Sequence, residues 1–207
     1  SRPTECLSYT YNIAESMARL HALKLGEGVA ATELGELGES FGRIDQWLAQ
    51  AELAMDANPY IKERLERRCG SVDSVKQIWG ETKQWLSIHI DGCTVEDRAR
   101  RFCRETVFTH MDCQSLNILT SVTDTDKSIR LIDFEYSGHN PRALDIANTL
   151  LEHVDINGLS VNWWNDYPSI EESKFYIGRY LNYIVESTGD ARIPTEQYDL
   201  DMFISEC

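Results

Sequence analysis

Two short apolar runs separated by a polar turn limit what this chain can become. Asn117 to Val122 and Ser128 to Asp133 both have strand character, and Thr123-Asp124-Thr125-Asp126-Lys127 between them is turn material. An antiparallel hairpin follows, with Asn117 and Asp133 side by side at its open end. Both ends carry chemistry. Upstream lies an H-x-D-x-x-x-x-N run formed by His110, Asp112 and Asn117, and downstream a D-F-E, Asp133 to Glu135, sixteen residues after Asn117.

Phosphoryl transfer from a nucleotide to a hydroxyl needs an oriented acceptor and a clamp on metal and phosphates, with little covalent work by the protein. Asp112 is the candidate catalytic residue, a base that accepts or orients the acceptor's hydroxyl proton. Asn117 offers a neutral oxygen and Asp133 a charged one, both hard ligands suited to magnesium. Either half alone is common by chance, and D-F-E could be a strand end with a buried Phe134. In this order, flanking a hairpin, they form the arrangement of a kinase catalytic loop and metal-binding loop.

Around the hairpin the periodicity is helical. Residues 9 to 25 read as an amphipathic helix with Ile13, Met17, Leu20 and Leu23 on one side, and His21, with no visible partner, as a core or capping residue. Residues 26 to 42 are loop-like; the run lacks a Lys-Ser or Lys-Thr after its glycines, and its glutamates would repel a phosphate. Ser40 to Met55 places Phe41, Ile44, Leu48 and Ala51 on one face. Pro59 opens the next helix, with Ile61 and Leu65 apolar, and Gly70 ends it. Ser71 caps a helix running to about Ile90, with Val75, Ile78, Trp79, Leu86 and Ile90 apolar. A short basic helix spans Thr94 to Glu105, its arginines paired with local carboxylates. Leu144 to Asp155 is a helix with Asp145 in its first turn, where a carboxylate is favoured, and Ser173 to Val185 is another.

The formal net charge of -14 argues against nucleic acid and against anionic membrane surfaces, and it suits a cationic substrate. Cys6, Cys69, Cys93, Cys103, Cys113 and Cys207 are scattered without a C-x-x-C. That pattern reads as reduced thiols of a cytoplasmic protein, neither a zinc site nor a disulfide framework. No apolar run approaches transmembrane length and no signal peptide opens the chain, so no stable membrane insertion is expected.

H-M-D-C-Q-S-L-N-I-L and L-I-D-F-E-Y-S-G-H-N-P-R-A-L-D-I-A-N resemble the signature of the choline/ethanolamine kinase family. Ile13 to His21 is similar to the helix after that family's interlobe hinge, and Ser40-Phe41-Gly42 leading into Trp47-Leu48 is similar to a further stretch of it. Met111 departs from the family's usual Asn. Asp112-Cys113-Gln114 is closer to the choline branch than to the ethanolamine branch. The resemblance implies an α+β, mostly α-helical, protein-kinase-like large lobe with a catalytic β-hairpin. It implies ATP as co-substrate with magnesium on Asn117 and Asp133, and Gln114, Ile132 and Asp133 against the nucleotide. Choline would lie with its hydroxyl on Asp112 and its ammonium near Glu152. Tyr136 could wall an aromatic cage, since ring faces attract quaternary ammonium, or simply pack under the hairpin. His110 and Asp145 support the site, Asp145 by accepting hydrogen bonds from the catalytic loop. Trp163 and Trp164 lie in a polar loop and are left out of the site.

No G-x-G-x-x-G strand pair and no V-A-I-K-like strand lysine is present, so the small lobe over the ATP phosphates is expected to be absent. The expectation is a partial C-terminal lobe over 1–207: a helical scaffold at 1–105, the catalytic loop, hairpin and following helix at 106–155, and a truncated helical segment at 156–207. The intact enzyme would make phosphocholine, the entry to phosphatidylcholine synthesis, and this piece alone would be inactive. An ethanolamine kinase, an aminoglycoside-like phosphotransferase and a non-catalytic scaffold domain stay open. A homodimer is allowed, and the sequence does not set the oligomeric state.

Overall fold

The computed structural model describes residues 4–23, 39–91, 102–121, 128–154 and 166–189. Most of the expected loop at 26–42, most of the basic helix at 94–105, the hairpin turn, Trp163-Trp164 and the tail beyond Gly189 lie outside them. The elements are α1 (Thr4–His21), α2 (Glu39–Ala57), α3 (Pro59–Cys69), α4 (Val72–Asp91), β1 (Thr106–Thr109), a 3-10 turn (Ser115–Asn117), β2 (Ile118–Thr120), β3 (Ile129–Leu131), β4 (Gly138–Pro141), α5 (Arg142–Leu151) and α6 (Ile170–Thr188). This is a mostly helical α+β fold. It divides into two compact units, Ser1–Ala31 with Val95–Cys207, and Thr32–Thr94. The expected scaffold of residues 1–105 is therefore shared between them.

The first unit is built on α1 against α6. Ala14, Met17, Ala18 and His21 follow the i, i+3, i+4, i+7 spacing of one helix face and are all buried. Ser173, Tyr176, Ile177, Tyr180, Leu181 and Ile184 make the matching stripe on α6. Of the expected face, Met17 and Leu20 are buried and Ile13 packs against the core, while Leu23, past the end of the helix, is exposed. At the other end of the core, Ile146 and Leu150 of α5 join Phe102, Cys103 and Cys113. Helix α6 starts three residues before the expected Ser173, where Ser169 and Glu172 form a reciprocal capping box. Gly189 ends it in the left-handed region, which a residue without Cβ adopts freely.

Two antiparallel strand pairs sit beside these helices. The expected hairpin is β2–β3, with Ile118 opposite Leu131 and Thr120 opposite Ile129. It is shorter than expected, since Asn117 belongs to the 3-10 turn and Asp133 lies past the strand. The second pair, β1–β4, was not foreseen; it sets Phe108 opposite His139 and Thr109 opposite Gly138. Buried Thr109 donates to the Gly138 carbonyl at 2.8 Å and accepts from the Asn140 amide at 2.8 Å, so the polar side chains of this pair satisfy one another. It ends directly in α5.

The second unit holds α2, α3 and α4. Phe41, Ile44, Leu48 and Ala51 are half-buried and Met55 is buried, the face the periodicity indicates. Phe41 stacks on Trp79 at 5.3 Å, and Asp45 accepts from Trp79 Nε1 at 2.7 Å and Lys83 Nζ at 2.8 Å. Asn58 caps α3 ahead of Pro59, and Ser71 accepts from the Ser74 amide at the start of α4. Three expected inward residues point outward instead: Ile61, Leu65 and Ile78 are exposed. The inward line on α4 is Val75, Trp79, Lys83 and Leu86, and Ile78 is about 100° round the helix from Trp79.

Ile177 has no exposed surface, whereas Leu53 is 71% exposed. Ile177→Ala should therefore cost about 2–5 kcal/mol, and Leu53→Ala less than about 0.5 kcal/mol. Urea titration of both variants checks this; a cost below about 1 kcal/mol for Ile177→Ala would remove the α1–α6 contact as the core of its unit.

Candidate active site

The chain leaves β1 at Thr109 and enters the loop that carries His110, Asp112 and Gln114. Asp145, fully buried in the first turn of α5, grips its start. Asp145 Oδ2 accepts from the His110 amide and Oδ1 from the Met111 amide, both at 2.7 Å. Met111 lies in the left-handed region at φ 64°, which costs an L-residue about 1–2 kcal/mol. Two short bonds to a carboxylate offset that cost, because charge-assisted hydrogen bonds are the strong ones. Asn enters this backbone region more readily than Met.

His110 is fully buried and joins the two motifs. Its Nε2 lies 3.0 Å from the Ile132 carbonyl and its Nδ1 3.3 Å from the Asp112 amide. A carbonyl only accepts and an amide only donates, so the proton is on Nε2. Ile132 also donates its amide to the Asn117 carbonyl at 3.0 Å. Asp133 follows at once, its backbone left-handed at φ 63°. Phe134, whose ring centroid is 4.7 Å from that of His110, is 45% exposed, so D-F-E is not a strand end over a buried ring.

The Asp112 carboxylate is held on one side. Asn117 Nδ2 donates to Asp112 Oδ2 at 2.7 Å and to the Asp112 carbonyl at 2.9 Å. Gln114 Nε2 reaches the same carboxylate at 3.2 Å, so Gln114 is placed first of all as a neighbour of Asp112. With both amide hydrogens of Asn117 engaged, its Oδ1 is the atom left for a cation. With the Asp133 carboxylate it makes two hard oxygens that could hold a metal ion. That fits magnesium, which keeps waters and phosphate oxygens in most of its sphere. Among the described residues no cluster of three or more His, Cys, Asp or Glu could hold a metal on its own.

Glu152 caps the C-terminus of α5 and is half-buried. Burial, and after it the charge of Asp112, holds its carboxyl above the usual range, against a hydrogen bond from Asn148 that lowers it. Two carboxylates within each other's field favour a cation beside them. Cys113, between Asp112 and Gln114 in sequence, is buried; burial first, then Asp145, Glu152 and Asp112 push its thiol up to about 12. Tyr136 lies in the turn after D-F-E and is partly exposed.

Behind Asp145 stands a group that the sequence does not reveal. His21 Nε2 lies 2.9 Å from Asp145 Oδ2, and His21 Nδ1 lies 2.7 Å from the Tyr180 hydroxyl. Buried Arg142 donates to Tyr180 Oη at 2.6 Å, to the Phe102 carbonyl at 3.1 Å and to Glu105 at 2.6 Å. His21 is thus a buried partner of Asp145, not a cap. Its one sequence signal is its place seven residues after Ala14 on the buried stripe.

A hairpin between an H-x-D loop and a D-F-E, with the loop gripped by an aspartate of the next helix, is the large-lobe arrangement of protein-kinase-like folds. Residues 7–207 match the family model described as choline/ethanolamine kinase. The chain is 31% identical over 202 residues to a probable choline kinase 2 of Arabidopsis thaliana, covering 82% of this chain and 56% of that protein. It is 25% identical over 183 residues to an ethanolamine kinase of Saccharomyces cerevisiae, covering 81% and 31%. Among solved structures, a choline kinase from Cryptosporidium parvum shares the fold with a TM-score of 0.66 at 22% identity, over 97% of this chain and 54% of that one. This chain belongs to the choline/ethanolamine kinase family. It spans about half, or less, of the length of the curated relatives it matches.

Two expectations follow from the loop. Met111→Asn should stabilise the protein by up to about 1 kcal/mol by easing the left-handed backbone, and a shift of the urea midpoint measures it. Cys113 should resist maleimide at pH 8, because the thiolate is the reactive form and its thiol is pushed to about 12. Peptide mapping showing rapid native-state labelling at Cys113 would contradict that environment.

Proposed function

We propose that the protein carrying this chain transfers the γ-phosphoryl group of ATP to the hydroxyl of choline, giving phosphocholine, with ethanolamine as the alternative acceptor. The observation that carries the reading is the Asp112 carboxylate, fixed from one side by Asn117 and Gln114 while Glu152 lies within its electrostatic reach. A base and a cation-seeking carboxylate so placed suit a substrate with a hydroxyl at one end and an ammonium at the other. Phosphocholine would feed phosphatidylcholine synthesis.

Asp112 takes the hydroxyl proton as the oxygen attacks the γ-phosphorus, and ADP leaves. Asn117 Oδ1 and the Asp133 carboxylate would hold magnesium, which when bound neutralises phosphate charge. Ile132, with its side chain partly exposed beside the hairpin's open end, offers an apolar surface to the nucleotide. Gln114 stays beside Asp112 at the nucleotide's edge. Glu152 and the ring of Tyr136 receive the ammonium, the first by charge and the second by its face.

Choline is placed first because of Asp112-Cys113-Gln114. Ethanolamine stays because relatives carry both names, and a primary ammonium would also satisfy Glu152. Among the described residues no helix is long and apolar enough to cross a membrane. A cytoplasmic setting is part of the proposal and rests on the cysteine pattern.

Asp112→Ala in the full-length protein should lower kcat at least about 100-fold while nucleotide affinity stays within about twofold. A coupled ADP assay and calorimetry read the two quantities, and near-normal turnover would end the assignment of Asp112 as base. The same assay run on choline and ethanolamine should give the higher kcat/KM for choline; the reverse order makes the protein an ethanolamine kinase.

A further inference from the structure

We propose that helix α3 is a docking surface for an anionic lipid bilayer, holding the protein reversibly against negatively charged headgroups. The inference goes beyond the kinase reading and does not depend on it.

Helix α3 is the segment that the rest of its unit leaves uncovered. From Pro59 to Arg68 every residue is exposed, whereas each of the other described α-helices has half-buried or buried positions. Tyr60 is 63% exposed, and Ile61 and Leu65, the apolar pair expected to turn inward, are each 37% exposed. The helix is nevertheless well bounded. Asn58 caps one end ahead of Pro59, and Gly70 closes the other with φ 75°. Caps define this helix; burial of its apolar residues does not.

Charge is placed on it unevenly. Lys62, Arg64, Arg67 and Arg68 fall within seven residues of a chain whose formal net charge is -14. At about 100° per residue, Tyr60, Arg64, Arg68, Ile61 and Leu65 follow one another round an arc of about 140° that holds no carboxylate. Glu63 and Glu66 lie outside that arc, where Arg67 and Lys62 pair with them one turn away. Arg64 lies over the Tyr60 ring, 5.7 Å from its centroid, and donates to its hydroxyl at 3.4 Å. One face of α3 thus carries an aromatic ring, two aliphatic side chains and two guanidinium groups.

Charge and size name the occupant. Basic groups beside apolar ones on a helix that can lie flat are what anionic headgroups attract, and a tyrosine ring suits the boundary between headgroup and acyl chain. A stable protein partner would need about 800 Å² of matched surface. A face about 16 Å long with two aliphatic residues does not offer it, whereas a fluid headgroup layer moulds itself to a short strip. The overall acidity argues against anionic surfaces for the molecule as a whole. It acts weakly on this face, because at physiological salt charges beyond about 8 Å are largely screened.

The test uses the full-length protein and phosphatidylcholine vesicles, plain or made with about one-third phosphatidylserine. Wild type should sediment with the mixed vesicles at about 0.1 M salt, but not at about 0.5 M salt and not with plain ones. Arg64→Gln with Arg68→Gln should weaken that binding at least about tenfold, since each basic residue at such a surface is worth about fivefold. Arg43→Gln with Lys62→Gln removes the same charge from outside the arc and should weaken it less than about twofold. Hydrogen exchange across residues 59–68 of the wild type should slow when mixed vesicles are added, a readout that needs no variant to fold. The inference is overturned by a wild type that ignores mixed vesicles, by equal loss in the two double variants, by binding that survives high salt or plain vesicles, or by exchange protection that misses α3. An acidic protein held by this face without vesicle binding overturns it too. None of the four substituted residues belongs to the candidate site, so failure here leaves the kinase reading standing.

Discussion

The carboxylate of Asp145 accepting the amides of His110 and Met111 is the interaction on which the site depends. Both bonds are 2.7 Å long, both acceptor atoms are buried, and the residue they hold is forced into a backbone region L-residues avoid. From that grip the remaining geometry follows in steps. The loop turns, His110 reaches the Ile132 carbonyl, and Ile132 in turn reaches the backbone of Asn117. Two motifs on either side of the hairpin are thus tied together. Stiffness of this kind is what transfer chemistry draws on, since its rate depends on orientation more than on covalent help.

The support behind Asp145 is unusual in how polar it is. A histidine, a tyrosine and an arginine lie inside a unit whose other buried residues are mostly apolar. Such groups are costly to bury unless each finds a partner, and here each does: Arg142 alone donates to a hydroxyl, a carbonyl and a carboxylate. The helices α1 and α6 therefore do two things at once. Their apolar stripes bind them together, and the polar end of the same stripes reaches α5. The charge of Asp112 reaches Glu152, and the charges of both reach buried Cys113.

Much of this was legible from residue order alone. The hairpin, its two flanking motifs, the family and the mostly helical α+β class all follow from local patterns, and among the described residues the helices lie within about five residues of where caps and periodicity put them. Pro59, Gly70 and Ser71 mark their boundaries correctly because capping is a local matter. Other features were not legible. The β1–β4 pair was missed because Gly-His-Asn-Pro is a poor strand sequence; it pairs because Thr109 and Asn140 satisfy one another in a buried setting. Ile78 was assigned to the wrong side of α4 because an apolar residue beside Trp79 looks the same in sequence whichever way it faces.

Residue order by itself determined the chemistry-bearing loop, the D-F-E and the short hairpin between them, because these are contacts between near neighbours whose side chains name their own roles. Only the tertiary structure decided that His21 would meet Asp145, 124 positions away, and Tyr180, 159 positions away. Nothing local distinguishes a buried histidine with a partner from one without. The partner arrives only when three helices pack, and packing is set by the sum of many weak apolar contacts that no single residue displays.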